Sequence, residues 1–117
     1  MKPISTANAE HYSWGDSCDG WYLVRTAELN IIEESMPAGA FETRHSHVHV
    51  RQFFYVLEGE LTMEVEHEEF RLCVGEGIEV APGKAHQARN RNAKATRFLV
   101  TSQPPSHDDR VEQASGI

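Results

Sequence analysis

The sequence lacks several features that would place a protein in a specialised class. It has only two cysteines, Cys18 and Cys73, too few for a disulfide framework, so we expect a reducing, cytoplasmic environment. The longest apolar run, residues 53–57, is far too short to span a bilayer, and residues 1–6 lack the apolar core of a signal peptide. The 11 Lys and Arg residues form no cluster, and 18 Asp and Glu residues give a net charge of −7. We therefore expect neither nucleic acid nor a membrane as a partner.

What the sequence does contain is a series of short strand-like segments separated by Gly and Pro. Its 117 residues suffice for one domain with a substantial core. In one segment Leu61, Met63 and Val65 alternate with polar residues, as on a strand with one buried face. Strands are predicted at residues 21–25, 29–36, 41–50, 52–57, 60–67, 70–74, 78–81, 86–89 and 96–101. This spacing is typical of an all-β sandwich or barrel.

The two ends of the chain fit the strand pattern less well. We divide the chain into an N-terminal arm (1–20), a β-barrel domain (21–103) and a C-terminal tail (104–117). Within the arm, residues 5–14 are predicted to be irregular or to form a short helical turn. Within the tail, the capping-box pattern that begins at Ser106 predicts a short helix over 106–114.

Histidines carry the clearest chemical signal in the chain. His45, His47 and His49 alternate along one predicted strand, so their side chains would share a face of the sheet. A fourth histidine, His86, follows a Pro-Gly turn far downstream. Imidazoles that converge from separate strands are how a β scaffold builds a transition-metal site. The sequence therefore predicts metal binding.

The spacing around these histidines resembles that of the cupin superfamily. Its first motif is Gly, five residues, His-x-His, three or four residues, Glu, six residues and Gly, and here it runs from Gly39 through His45 and His47 to Gly59, with Gln52 in place of Glu. The second motif is Gly, five residues, Pro-x-Gly, two residues, His, three residues and Asn. Here its positions are Gly75, Ala81 where Pro is usual, Gly83, His86 and Asn90. The joint match is specific, whereas either motif alone would be only suggestive.

The resemblance implies an all-β, single-domain jelly-roll barrel with one divalent transition metal per subunit. Its ligands would be His45, His47 and His86, with Gln52 at the position of the acidic ligand, and the ion could be Fe, Mn, Ni, Zn or Cu. A carboxamide is neutral, so Gln52 either ligates weakly or stands off as a hydrogen-bonding group. It also cannot accept a proton near neutral pH, which removes the obvious general base.

Other residues receive structural rather than chemical roles. His49 would lie on the same face of the strand as the ligands, but it has no place in the motif. It is therefore predicted to line the pocket or to lie exposed at its mouth. Cys73, between two apolar residues, is predicted to be a buried small hydrophobe. Trp14 and Trp21 are predicted to pack against the barrel, although either could flank its mouth.

Three functions that occur among the cupins this chain resembles are compatible with such a site, whereas a structural or storage role ranks last because it would leave the metal site unexplained. The first is a metal-dependent enzyme, most simply dioxygenase-like, whose small organic substrate would chelate the metal through an enolate, carboxylate or hydroxyl. An isomerase or epimerase is the second, and a non-catalytic sensor of a small ligand is the third. Fold alone cannot choose among them, because barrels of this shape host many functions.

A homodimer is also expected from the sequence. Phe53, Tyr55 and Leu57 form an apolar strip on the opposite face from Gln52 and Phe54, and a chain this small has little else to cover it. A two-fold interface would bury this strip.

Overall fold

The computed structural model of the protein describes residues 1–105 and 109–114, and every regular element in these ranges is a β-strand. The strands are β1 (Glu10–Trp14), β2 (Cys18–Arg25), β3 (Asn30–Met36), β4 (His45–His47), β5 (Arg51–Glu58), β6 (Glu60–Val65), β7 (Glu68–Cys73), β8 (Gly77–Val80), β9 (His86–Arg89), β10 (Thr96–Gln103) and β11 (Arg110–Glu112). None of the described residues belongs to a helix that could span a membrane.

The strands form two antiparallel sheets that together make a jelly-roll-like sandwich. One sheet has the order β1-β2-β3-β10-β5-β8 and the other has the order β11-β4-β9-β6-β7. The predicted all-β jelly roll is confirmed, but the sheets stay separate rather than closing into a hydrogen-bonded barrel. The boundary set at residue 20 falls inside β2, which pairs with β1 on one side and β3 on the other.

The core lies between the two sheets and receives side chains from both. The largest fully buried apolar side chains are Met36 and Phe98 from the six-stranded sheet and Leu61 and Met63 from the five-stranded sheet. Phe54, Val56, Leu72, Val80, Ala88 and Val100 pack in the same cluster. Burying each large side chain contributes about 1.5–3 kcal/mol, so this cluster holds the two sheets face to face.

Strand β5 alternates as its sequence predicts. Gln52 and Phe54 face inward and are buried, whereas Phe53 and Leu57 are 43% and 39% exposed. Side chains on a strand point alternately to its two faces, so a strand with apolar residues at successive positions must show some of them on the outside. The apolar strip inferred from the sequence is therefore present on the outer face of the six-stranded sheet.

Both ends of the chain form strands where the sequence predicted other structure. Arg110–Glu112 pairs with His45–His47, so the helix predicted over 106–114 is wrong at these residues, while residues 106–108 lie outside the described residues. Pairing with this segment covers the backbone groups that β4 would otherwise expose at a sheet edge. At the other end, Glu10–Trp14 pairs with β2 instead of being irregular.

Two further predictions are corrected by the register of the sheets. The long strand predicted over residues 41–50 is regular only over His45–His47: residues 42–44 before it are irregular, and the chain bends at Val48 and His49 after it. Cys73 is exposed rather than buried: Leu72, its neighbour on β7, points into the core, and strand alternation turns Cys73 outward.

Candidate metal centre

Three of the four predicted ligands converge as buried histidines. His45 and His47 lie on β4, and antiparallel pairing of β4 with β9 places His86 directly opposite His45. All three are at most 5% exposed, and one ring nitrogen from each lies within 4.8 Å of the others. The ring centroids of His45 and His86 are 4.5 Å apart. His49, by contrast, is exposed beyond the bend and lies outside this cluster.

Each of the three rings is held by an oxygen atom at its Nδ1. The contacts are His45 Nδ1 to Thr43 O at 2.7 Å, His86 Nδ1 to Lys84 O at 3.0 Å and His47 Nδ1 to Asp109 Oδ1 at 3.0 Å. A carbonyl or carboxylate oxygen can only accept, so each Nδ1 carries the proton and donates it. The Nε2 lone pairs are thereby left free, which is the tautomer that a metal-ligating histidine needs.

Burial keeps the three rings neutral. Desolvation, followed by the charge of His86, lowers the pKa of His45 to about 3, and desolvation lowers that of His86 to about 4. Desolvation also lowers the pKa of His47, although its hydrogen bond to Asp109 acts in the opposite direction. Metal ligation requires the neutral imidazole, so these pKa values favour binding of a cation over binding of protons.

The fourth predicted ligand, Gln52, reaches the same point from the opposite sheet. Its side chain is buried; Nε2 donates to Ser102 Oγ at 3.0 Å, and Oε1 lies 3.1 Å from His86 Nε2. Because the single proton of neutral His86 is donated to Lys84 O, two acceptor atoms face each other across this gap.

The donor set therefore fits a divalent transition metal. Three neutral Nε2 atoms and one amide oxygen suit first-row ions such as Zn, Cu, Fe and Ni, and the facing acceptor pair at Gln52 and His86 is a place that a cation would stabilise. The contribution of Asp109 was not foreseen, since nothing in the tail sequence indicates that it folds back onto β4.

Two of the three histidines open into a pocket of about 280 Å³ between the sheets. His45, His47 and Gln52 line it on one side. The remaining wall is formed by Tyr12, Trp14, Tyr22, Ile32, Glu34, Glu42, Phe54, Val100, Ser102 and Arg110. Trp14 thus flanks the pocket while packing against the core, whereas Trp21 packs against the ring of His11 at a centroid distance of 5.4 Å.

Two carboxyl groups on the pocket wall have pKa values near neutrality. Desolvation raises the pKa of Glu34 to about 7, although the hydroxyl of Tyr12, which donates to its Oε2 at 2.9 Å, opposes the shift. Desolvation, followed by the charge of Glu34, raises the pKa of Glu42 to about 8. The guanidinium of Arg110 lowers both values in part. The pocket therefore holds groups that can take up and release protons at physiological pH.

The position of Tyr12 depends on a glycine in the neighbouring strand. A Cβ on Gly20 would lie only 2.2 Å from Tyr12 Cζ, so the tyrosine ring occupies the space that a side chain at position 20 would need. Gly20 is the cross-strand partner of Tyr12 in the β1–β2 pair. Its lack of a side chain lets the phenol cross β2 and reach Glu34 on β3.

One of these carboxylates had a signal in the sequence. Glu34 lies between Ile32 and Met36 on the same face of β3, and both of these neighbours are buried. A carboxylate in an inward-facing register is rarely structural unless it is paired, so it marks a functional candidate. Glu42 and Arg110 had no comparable signal, because they lie in short irregular or terminal segments.

Comparisons with known proteins agree with this architecture. Residues 32–102, more than half of the chain, match the family model described as "Cupin domain". The uncharacterized protein MJ1618 of Methanocaldococcus jannaschii is 30% identical over 88 residues, which cover 74% of this chain and 70% of that protein. KdgF from Halomonas sp. superposes with a TM-score of 0.82 at 19% identity, over 92% of this chain and 96% of that one. An RmlC-like cupin from Shewanella frigidimarina gives 0.81 at 24% identity, over 90% and 92% of the two chains. The chain belongs to the cupin domain family.

Proposed function

We propose that the protein is a metal-dependent enzyme that moves protons on a small organic substrate, as an isomerase or epimerase does. The observation that carries this proposal is that Glu34 and Glu42, with pKa values near neutrality, share one pocket with two of the three clustered, buried histidines, His45 and His47. Perturbed carboxyl groups beside a metal-type ligand set are characteristic of catalytic sites. A sensor pocket has no need for them.

The metal would be held by His45, His47 and His86, one divalent first-row ion per subunit, with Gln52 Oε1 as a fourth ligand. When bound, the ion would serve as a Lewis acid that polarises a substrate oxygen. Thr43 O, Lys84 O and Asp109 would keep the three rings in the ligating tautomer throughout turnover.

The protons would be handled by the two carboxyl groups. Glu34, whose pKa is the lower of the two, is the candidate base, because a larger fraction of it is ionised at neutral pH. Tyr12 holds its Oε2 in one orientation. Glu42, with a pKa of about 8, remains protonated and is the candidate acid. A proton removed from a substrate carbon by one carboxylate can thus be balanced by a proton delivered from the other.

The substrate class follows from the size and charge of the pocket. A volume of about 280 Å³ admits a molecule of small-metabolite size. Arg110 lines this volume and can pair with a carboxylate of the substrate. We therefore propose a small hydroxy or keto carboxylate that presents vicinal oxygens to the metal.

The test is hydrogen exchange at carbon. The purified protein would first be analysed for metal and then incubated in D₂O with a panel of small hydroxy and keto carboxylates, with NMR detection of deuterium at the carbon beside the oxygen. We expect exchange with at least one compound, and we expect Glu34→Gln to slow it by about 10²–10⁴-fold. Exchange that is unchanged in both Glu34→Gln and Glu42→Gln would contradict the assignment of the proton-transfer groups.

Dioxygenase-like chemistry is the second candidate. It is favoured by the wholly uncharged ligand set, together with the apolar wall formed by Ile32, Phe54 and Val100. Oxygen uptake by the Fe(II)-loaded protein across small diketones, catechols and thiols distinguishes it from proton transfer. Saturable binding without exchange or oxygen uptake would instead indicate the sensor.

Gln52 is expected to tune the metal affinity. Gln52→Glu would place an anionic oxygen 3.1 Å from His86 Nε2, so we expect tighter binding of a divalent ion, measured by calorimetric titration. Gln52→Ala is the matched control and should weaken binding. If both variants bind with the affinity of the unaltered protein, Gln52 does not take part in the site.

We also propose that the strip on the outer face of β5 is the interface of a homodimer. Phe53 and Leu57 are exposed there, and Tyr55 lies between them with its ring stacked on Phe53 at 6.2 Å. Burial of each would contribute about 1.5–3 kcal/mol to association. Light scattering over a dilution series should show a dimer that Tyr55→Glu dissociates. A monomer at micromolar concentration that is indifferent to this substitution would contradict the proposal.

A cytoplasmic location is proposed from the cysteines. Cys18 is buried and Cys73 is exposed, and both are free thiols in the structure. Such a pair is typical of a reducing compartment. Cell fractionation of the native organism would test the location directly.

A further inference from the structure

Asp109, from the C-terminal segment, contacts one of the three histidines of the candidate metal centre. Its Oδ1 accepts from His47 Nδ1 at 3.0 Å, and its Oδ2 accepts from the backbone N–H of His49 at 2.7 Å. The carboxylate is 18% exposed. One side chain thus bridges a ligand ring and the bend that follows β4.

The segment that carries Asp109 is fixed in place by several independent contacts. Strand β11 pairs with β4, so that Arg110 lies opposite His47. Beyond it, the backbone N–H of Gln113 donates to Arg44 O at 2.8 Å, and Arg44 Nη1 donates to Ala114 O at 3.1 Å. Arg44 is itself buried and bonded to Glu64 at 2.6 Å and 3.0 Å. Residues 109–114 are therefore held against β4, beside the histidine cluster.

The three histidine rings differ in the type of oxygen that holds them. His45 and His86 each donate to a backbone carbonyl two residues earlier in the chain. The oxygen atoms that hold these two rings therefore belong to the adjacent backbone. The anchor of His47 is a charged side chain from 62 residues away. An ionised acceptor binds an imidazole N–H more strongly than a carbonyl does, and it makes Nε2 a more basic ligand.

We propose that Asp109 is a positioning residue for the metal, acting through His47 from the C-terminal strand. This inference rests on the proposed metal site. The carboxylate fixes the orientation and tautomer of the His47 ring and increases its donor strength. Sequence motifs do not include this residue, because they end at Asn90.

The experiment measures binding of Co²⁺ to the full chain by calorimetry and by the visible absorption spectrum of the bound ion. We expect Asp109→Ala to weaken binding by about 10–100-fold and to alter the spectrum, since the His47 ring loses its fixed orientation. Asp109→Asn retains one oxygen acceptor, so its affinity for Co²⁺ should lie between that of Asp109→Ala and that of the unaltered protein. Glu112→Gln, which removes an exposed carboxylate from the same strand, is the matched control and should bind as the unaltered protein does.

A double-mutant cycle separates positioning from a general structural effect. If Asp109 acts through His47, then Asp109→Ala should have little further effect on Co²⁺ affinity in a His47→Ala background. Equal losses in both backgrounds would overturn the inference, as would unchanged affinity and spectrum in Asp109→Ala. Failure of the unaltered protein to bind Co²⁺ would instead overturn the proposed metal site itself.

Discussion

The His86→Ala protein is expected to bind a divalent metal ion more than about 100-fold more weakly than the unaltered protein. Loss of a proposed ligand should reduce the affinity more than loss of a residue such as Asp109, which only holds a ligand ring in place. His86 is the proposed ligand that faces both sheets: its ring lies opposite His45 on β4, and its Nε2 faces Gln52 Oε1 at 3.1 Å. Its removal leaves two histidines on a single short strand. Calorimetric titration with Co²⁺ or Zn²⁺, alongside metal analysis of the purified protein, measures the effect.

His49→Ala is the matched control for this prediction. His49 follows the same strand but lies exposed beyond the bend, so its loss should leave the affinity unchanged. Circular dichroism would show that the His86→Ala protein remains folded, which matters because His86 is only 1% exposed and its removal leaves a cavity. Full metal occupancy in a protein lacking both His45 and His47 would contradict the assignment of the site.

The sequence was sufficient to predict the fold class and the three histidines. Their spacing and the turn glycines between Gly39 and Asn90 are local features, and strand alternation converts such spacing into a shared face. Gly39, Gly59, Gly75 and Gly83 all adopt positive φ in the structure, so the motif positions that looked like turns are turns. The antiparallel pairing of β4 with β9 places His45 opposite His86.

The rest of the pocket depends on contacts between distant parts of the chain. Tyr12 reaches Glu34 only because Gly20 leaves room between them, and Arg110 reaches the pocket only because the tail pairs with β4. Short strands such as β11 are decided by which edge remains free in the folded sheet rather than by their own propensity. A local signal such as the capping-box pattern at Ser106 therefore predicts the wrong element for Arg110–Glu112.

Burial in and beside the pocket shifts the pKa values of two kinds of group in opposite directions. The pKa values of His45 and His86 are lowered by burial, so between about pH 4 and 6.5 the unfolded chain binds more protons than the folded one and stability rises with pH. The pKa values of Glu34 and Glu42 are raised, so the folded chain binds more protons between about pH 4.5 and 8, and stability falls with rising pH. Over the shared range, about pH 4.5–6.5, the two effects oppose each other, so the stability of the metal-free protein should change little there and should fall from about pH 6.5 to about pH 8, where only the carboxyl groups titrate.

We expect Glu42→Gln to remove much of the alkaline side of this profile. At pH 9 Glu42 must ionise in a desolvated site next to Glu34, and a neutral amide avoids that cost. The variant should therefore be more stable than the unaltered protein at pH 9 by about 1–3 kcal/mol. This range is smaller than the full change in the pKa of Glu42 would give, because the side chain is partly exposed. At pH 4.5 the advantage should vanish or reverse, because the carboxyl is then protonated in the folded state and about half protonated in the unfolded state, and Gln exchanges a hydroxyl for an amide beside Ala88 N. Urea denaturation of the chelator-treated protein from pH 4.5 to 9 measures the free energy of unfolding at both ends of this range.

Glu79→Gln, on the exposed outer face, is the control that should leave the dependence of stability on pH unchanged. A Glu42→Gln profile that runs parallel to that of the unaltered protein would show that this carboxyl ionises normally, and it would remove Glu42 as the candidate acid.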